Sequence, residues 1–441
     1  NCAVIEREGI VKYSYKTTQK VGTLVEGGFE SYTFSDDESK ILLQKESEPI
    51  YRHSFLGKFD VKDLKSGKII SLNNGDFVQE PKFSPDAAKV AFVVDNNLYY
   101  QDLASGKITQ ITTDGKKNSI INGIGDWVYE EEFGHADFYQ WSKGSDVLIF
   151  VKSDESKVPE INIPIYGKNL YPKLMTYKYP KAGEVNSTVS AHLYQLSSAK
   201  TLDLNLGSFE NYYIPQVYST AKNDEVALAT SNRHQNKVDI LKVNTSNGAV
   251  SKLISETDNA WIETDGMTLE FLDDNSFLWA SERSGFRHLY WFDAKGNLKK
   301  PVTKGNWEIT DYYGFNPKTK EVFIQTTEKG SLNKVVSKVN ISNGKMTLLS
   351  QAEGNNRADF SKNYQYFIET SSTANKPYVY TLKDGSGKSL KELQNNDALL
   401  SKLTADNIAT REFITIPNEA GDQMNAYIIK PKNFDPNKKY P

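Results

Sequence analysis

The sequence predicts an all-β fold made of repeated four-stranded units, and three observations carry that expectation. A short marker recurs: an aromatic residue or its stand-in, a small or apolar residue, then an acidic or Gly-containing turn. It occurs at Phe34-Ser35-Asp36-Asp37, Phe83-Ser84-Pro85-Asp86, Trp141-Ser142-Lys143-Gly144, Ser219-Thr220-Ala221-Lys222, Phe271-Leu272-Asp273-Asp274, Phe315-Asn316-Pro317-Lys318 and Phe360-Ser361-Lys362-Asn363. Successive markers lie 49, 58, 78, 52, 44 and 45 residues apart, and a period of about 40 to 50 residues with four strands in each is the mark of a β-propeller. Inside one repeat, apolar strands alternate with turns: Lys89 to Val94, Asn96-Asn97, Leu98 to Leu103, then Ser105-Gly106. The 25 Tyr and 21 Phe also suit strands better than helices. Seven markers and a truncated first unit give an eight-bladed β-propeller; seven blades stay open, because the 78-residue interval admits another division.

Residues 3–15 read as two strands around a Glu-Gly turn with nothing ahead to pair with, so the chain is expected to begin partway into a structural unit. The propeller is expected over residues 1–388. Within it, Gly125 to His135 breaks the strand-and-turn character. Asp126 suits a helix N-cap, Trp127, Val128 and Tyr129 a first turn, and Gly134 a left-handed stop, which predicts a short inserted helix. That helix carries Glu130, Glu131 and Glu132. Neighbours on a helix point about 100° apart, so two of the three can converge on one small cation while the third faces elsewhere. A solvated acidic run is the alternative.

The long interval holds two extended stretches, Val158 to Tyr166 and Tyr171 to Pro180, punctuated by four prolines. Proline confines strands to edges, so residues 155–183 are expected to form a two-stranded arm, with an irregular loop as the other reading. After Lys388, residues 389–393 and 397–403 have helical spacing, and Arg411 to Pro417 with Met424 to Pro431 read as a strand pair. Residues 389–441 are therefore expected to form a linker and the first strands of a further domain.

A net charge of −3 and a pI near 6.1 argue against a nucleic-acid partner. Hydrophobic content of 38% and charged content of 25% describe an ordinary globular core, and no apolar run has the length of a membrane span. No basic-then-apolar leader opens the chain. The single cysteine, Cys2, excludes an internal disulfide and a Cys-based metal site. No Gly-x-Ser-x-Gly nucleophile elbow occurs, so no catalytic residue is assigned. The five histidines, His53, His135, His192, His234 and His288, show no ligand spacing, and neither a metal nor another cofactor is expected. Gly385-Ser386-Gly387-Lys388-Ser389 suggests a phosphate loop, but the leading Gly of that motif would fall at Leu382, so it reads as a hairpin turn. Asn186, Asn244 and Asn340 stand in Asn-x-Ser/Thr sequons, to which no role is assigned.

Recognition chemistry remains. Glu131 and Glu132 held together repel, and one would keep a proton until a cation arrives. An ammonium supplies that cation with three donors. Arg52 is a rigid donor fork suited to a peptide carbonyl, with a surface salt bridge as its alternative.

The wording Asp126-Trp127-Val128-Tyr129-Glu130-Glu131-Glu132 resembles the signature of the dipeptidyl peptidase IV family of serine exopeptidases. Tyr51-Arg52-His53-Ser54, Tyr179-Pro180-Lys181-Ala182-Gly183 and Gly285-Phe286-Arg287-His288 also resemble that family, in its order. The resemblance implies that Glu131 and Glu132 grip the free amino terminus of a peptide substrate, with Arg52 as the complementary group. It implies that the arm takes part in a homodimer, and that residues 389–441 lead into an α/β-hydrolase domain supplying Ser, Asp and His. It further implies release of dipeptides whose second residue is Pro or Ala. Vertebrate relatives are disulfide-rich and this chain is not, so a bacterial periplasmic or secreted protein is expected. One departure stands out: Trp261 to Asn275, where some relatives place a Phe-Arg pair, has no arginine. The rivals are a non-catalytic peptide- or protein-binding propeller and a prolyl endopeptidase propeller. The Glu pair disfavours the second, because an endopeptidase has no use for an ammonium trap.

Overall fold

The computed structural model describes residues 2–207, 212–264 and 266–440, with Tyr212 described by its backbone alone. Its sheets form an eight-bladed β-propeller. Blade 1 has three strands, Cys2–Glu6, Gly9–Tyr13 and Lys20–Glu26. Seven further sheets of four or five strands follow in chain order, over residues 31–71, 79–110, 120–203, 212–257, 269–301, 309–348 and 355–394. All pair antiparallel, and outside blade 4 each is a meander in which consecutive strands pair, so the contacts that build those blades are local in sequence. Two compact units divide the chain, one of residues 1–277 with 293–297, the other of 278–292 with 298–441. The first contains blades 1 to 5 and the second blades 7 and 8, while blade 6 has strands in both.

The recurring marker sits where the first strand of a blade ends. Phe34, Phe83, Trp141, Ser219, Phe271 and Phe360 are last residues of such strands, and Phe315 is next to last. Its serine has a specific use. The hydroxyl of Ser35 accepts the N–H of Lys40 at 3.0 Å, Ser84 that of Lys89 at 2.9 Å, Ser142 that of Val147 at 3.1 Å and Ser361 that of Tyr366 at 3.1 Å. The same side chain thus closes the turn between the first two strands of four blades.

Blade 4 carries two insertions. Its first strand is broken into Ile120–Asn122 and Tyr139–Trp141, which pair with opposite ends of the same neighbour, Val147–Asp154. The break holds helix α1, Trp127–Phe133. Between the second and third strands the arm departs as a separate hairpin of Glu160–Ile165 and Lys173–Lys178. These two excursions account for the 58- and 78-residue intervals.

One expectation fails. Residues 389–393, read as helical, belong to the strand Ser389–Gln394, which pairs with Lys376–Asp384 as the fourth strand of blade 8. The blade therefore closes at Gln394 rather than Lys388. The apolar Leu390 and Leu393 are both exposed, so their spacing marks no buried helical stripe. Helix α2 follows at Asp397–Ala405, then a hairpin of Arg411–Pro417 with Gln423–Ile429. The segment 385–389 is the turn of the last hairpin of blade 8, with Asp384 accepting the N–H groups of Ser386 and Lys388. Pro441 and Asp265 lie outside the described residues. Among the described residues no helix is long and apolar enough to cross a membrane.

Candidate functional site

Helix α1 is fixed at both ends by local chemistry. The carboxylate of Asp126 accepts the N–H of Tyr129 at 2.8 Å as an N-cap, and its other oxygen takes the hydroxyl of Ser187. Burial raises the pKa of Asp126, although both bonds act against that rise. Gly134 ends the helix at φ 72, a left-handed conformation that favours glycine.

Two aromatic groups hold the helix sideways. Tyr129 packs edge-on against Phe133, Phe138 and Tyr213, and its hydroxyl accepts the N–H of Ile214 at 3.0 Å. On the other side Trp127 meets Tyr179 at 4.5 Å and Tyr177 at 6.2 Å between ring centroids, both from the arm. Tyr177 also contacts Tyr51 at 5.7 Å. Offset and edge-on ring contacts of this kind contribute about 0.5–1.5 kcal/mol each beyond area burial. The arm therefore packs against both segments that carry the candidate residues.

The three glutamates fan out as the helical turn dictates. Glu130 is 1% exposed and accepts the backbone N–H groups of His53 at 2.5 Å and Ser54 at 2.9 Å on one oxygen. Glu131 is half-buried and receives the Nε of Arg52, at 3.0 Å to one oxygen and 3.3 Å to the other. Glu132 is exposed and, among the described residues, has no ion-pair or hydrogen-bond partner.

Arg52 reaches α1 from the tip of the longest hairpin of blade 2, whose strands Lys40–Pro49 and Phe55–Asp63 run ten and nine residues. Its side chain is 71% exposed. The salt bridge that the sequence leaves as the alternative for Arg52 is present, and its partner is Glu131. The positive charge that the glutamate pair was expected to await is already beside Glu131, supplied by Arg52.

The surroundings favour neutral forms. Burial, then the negative charges of Glu155 and Glu130, raises the pKa of the Tyr51 hydroxyl. Burial and Asp126 bring Glu155 up to about 7, while burial and Asp137 do the same for Glu80. Asp137 behaves oppositely. Burial would raise it, but a hydrogen bond from His135 and the charge of Lys82 outweigh that and hold it at about 2.

Of the other segments singled out by sequence, Tyr179 joins the aromatic group beside α1. Arg287 and His288 belong to blade 6, where His288 is buried and bonded to Thr303 and to the carbonyl of Gly305, both at 3.0 Å. Among the described residues no cluster of three His, Cys, Asp or Glu side chains is placed to hold a metal. The sequence leaves Glu130 as the glutamate that faces elsewhere and gives no role to Trp127 or Tyr177. Helix geometry turns Glu130 about 100° from Glu131, but its donors come from a distant turn, and no local signal points to them.

Residues 35–378 match the family described as the dipeptidyl peptidase IV (DPP IV) N-terminal region. Dipeptidyl peptidase 4 of Trichophyton rubrum is 30% identical over 436 residues, covering 94% of this chain and 55% of that protein. The chain thus spans about half the length of the curated relatives it matches. The crystal structure of Porphyromonas gingivalis dipeptidyl peptidase 4 superimposes with a TM-score of 0.94 at 36% identity, covering all of this chain and 64% of that one. A dipeptidyl aminopeptidase IV structure from Bacteroides ovatus shares the fold, with a TM-score of 0.77 at 24% identity. With four-fifths of its length inside the family match and an eight-bladed propeller in common, the chain belongs to the family of dipeptidyl peptidase IV N-terminal regions.

Proposed function

We propose that this chain is the substrate-anchoring and gating propeller of a dipeptidyl peptidase IV-like serine exopeptidase that releases Xaa-Pro and Xaa-Ala dipeptides from the amino terminus of peptides. One observation carries the reading. Two segments distant in sequence meet so that Glu131, next to Glu132 on α1, holds the guanidinium of Arg52, with Arg52 Nε 3.0 Å from Glu131. A carboxylate offers about four acceptor sites, so Glu131 has capacity left beside Arg52, and Glu132 has all of its own. An α-ammonium between the two would satisfy its donors and add the positive charge that one arginine cannot supply to two carboxylates. The outer nitrogens of Arg52 then donate to a substrate carbonyl.

Internal residues of a peptide have no ammonium, which makes the site selective for chain ends. Hydrolysis itself belongs to Ser, Asp and His of the protein's own C-terminal α/β-hydrolase domain, in a periplasmic or secreted bacterial homodimer built with the arm.

The test compares Glu131→Gln and Glu132→Gln in the full-length enzyme on a free-amine peptide and its N-acetylated counterpart. Losing one charged hydrogen-bond partner of the ammonium costs about 1.5–3 kcal/mol, so kcat/KM for the free amine should fall by roughly tenfold to a hundredfold. Wild-type cleavage of the acetylated peptide, or tolerance of both substitutions, would sink the ammonium clamp. A non-catalytic peptide-binding propeller predicts instead that the whole protein binds free-amine peptides without turning them over.

A further inference from the structure

We infer that Glu130 is a positioning residue that acts through Arg52, an inference that rests on the proposed role of Arg52 in substrate binding. The turn Tyr51–Ser54 has its own backbone bonds only at its ends, where the N–H groups of Ile50 and Tyr51 both reach the carbonyl of Ser54 at 3.0 and 3.4 Å. The amides of His53 and Ser54 reach instead into the carboxylate of Glu130. Arg52 sits directly before them. Its side chain is mostly exposed, so packing does not hold it, and the guanidinium can stay on Glu131 only while its backbone stem is fixed.

Burying a carboxylate is costly unless donors satisfy it. Here the donors come from the one turn that carries Arg52. Both bonds lie on a single oxygen, which makes the position of that oxygen the quantity that matters. Glu130 thereby ties the first and second binding groups into one rigid unit: α1 sets Glu131, and the same helix, one residue earlier, sets the arginine that faces it.

Two substitutions separate reach from charge. Glu130→Gln keeps an acceptor oxygen at the same distance and loses the charge. Glu130→Asp keeps the charge and withdraws the oxygen by one methylene. In the full-length enzyme, kcat/KM on a free-amine Xaa-Pro substrate should stay within about twofold for Gln and fall about tenfold for Asp, both measured well below the unfolding temperature of the Asp variant, which is expected to be lowered by the unsatisfied carboxylate. Arg52→Ala alone should also cost about tenfold, the size of one lost hydrogen bond to a charged group. In that background Glu130→Asp should add less than twofold, because coupled residues are non-additive.

The reverse ranking, with Asp tolerated and Gln not, would overturn the inference, as would full additivity with Arg52→Ala. If Arg52→Ala itself changes kcat/KM by less than twofold, the reading of Arg52 fails separately. Glu130 is then judged by amide hydrogen exchange at His53 and Ser54, expected slow in wild type and Glu130→Gln and fast in Glu130→Asp; equal rates in all three would reject it.

Discussion

Glu155 lies at the base of the arm, 6% exposed, with its proton affinity raised by burial and by Asp126 to about 7. In the unfolded chain it ionises near 4.3. Between those values the folded protein holds a proton that the unfolded chain has released, so stability at this position falls as pH rises and is constant above about 7. Glu155→Gln is expected to raise the unfolding temperature at pH 8, by a change on the order of 1–3 kcal/mol in stability, and to change it little at pH 4. The same gain at both pH values would show that ionisation is not the cause. The residues themselves differ in how far sequence reveals them. Glu131 and Arg52 stand in segments whose wording is distinctive. Glu130 was visible as a carboxylate, but its partners, the amides of His53 and Ser54, are 77 and 76 positions away, and nothing local announces a backbone N–H that needs an acceptor.

Helix α1 was legible because its limits are set within it: Asp126 caps it and Gly134 stops it. The strand Ser389–Gln394 was not. Its six residues are all exposed, and such a short stretch carries no dependable period, so pairing with the preceding strand decides its state. The arm joins these lessons to a prediction. Its far end exposes Tyr166 at 80%, Leu170 at 89% and Tyr171 at 79%, whereas Tyr177 near its base is buried against α1 and Tyr51. Large apolar side chains exposed together at an edge hairpin call for a partner. Removing only residues 165–173 from the intact enzyme should yield monomers in sedimentation while keeping Tyr177 and Tyr179 on Trp127. A persistent dimer would reject the arm as its contact.

The repeat was legible on the scale of the molecule because the marker recurs where the first strand of a blade ends, and in four blades its serine closes the same turn, a local hydrogen-bonding requirement. Its irregular intervals also had a cause that sequence spacing alone could not separate, namely two insertions in one blade. A consequence for activity follows at this scale. None of the 441 residues forms a Gly-x-Ser-x-Gly elbow, so this chain by itself is expected not to hydrolyse a Gly-Pro amide reporter; turnover that co-purifies with it and resists a serine-directed inactivator would overturn that expectation.

The bonds from the blade 2 turn to α1 also set a timetable. Blades are local and can form as each hairpin becomes available, but the turn bearing Arg52 must wait for a carboxylate 77 residues downstream. At a synthesis rate of about 5–20 residues per second, that wait is roughly 4 to 15 seconds. During it the turn has two amides without their native acceptor and an arginine without its carboxylate. Shape thus arrives blade by blade, while the Arg52–Glu131 contact and the bonds of Glu130 are acquired in one later event, when the inserted helix of blade 4 closes on a hairpin made long before.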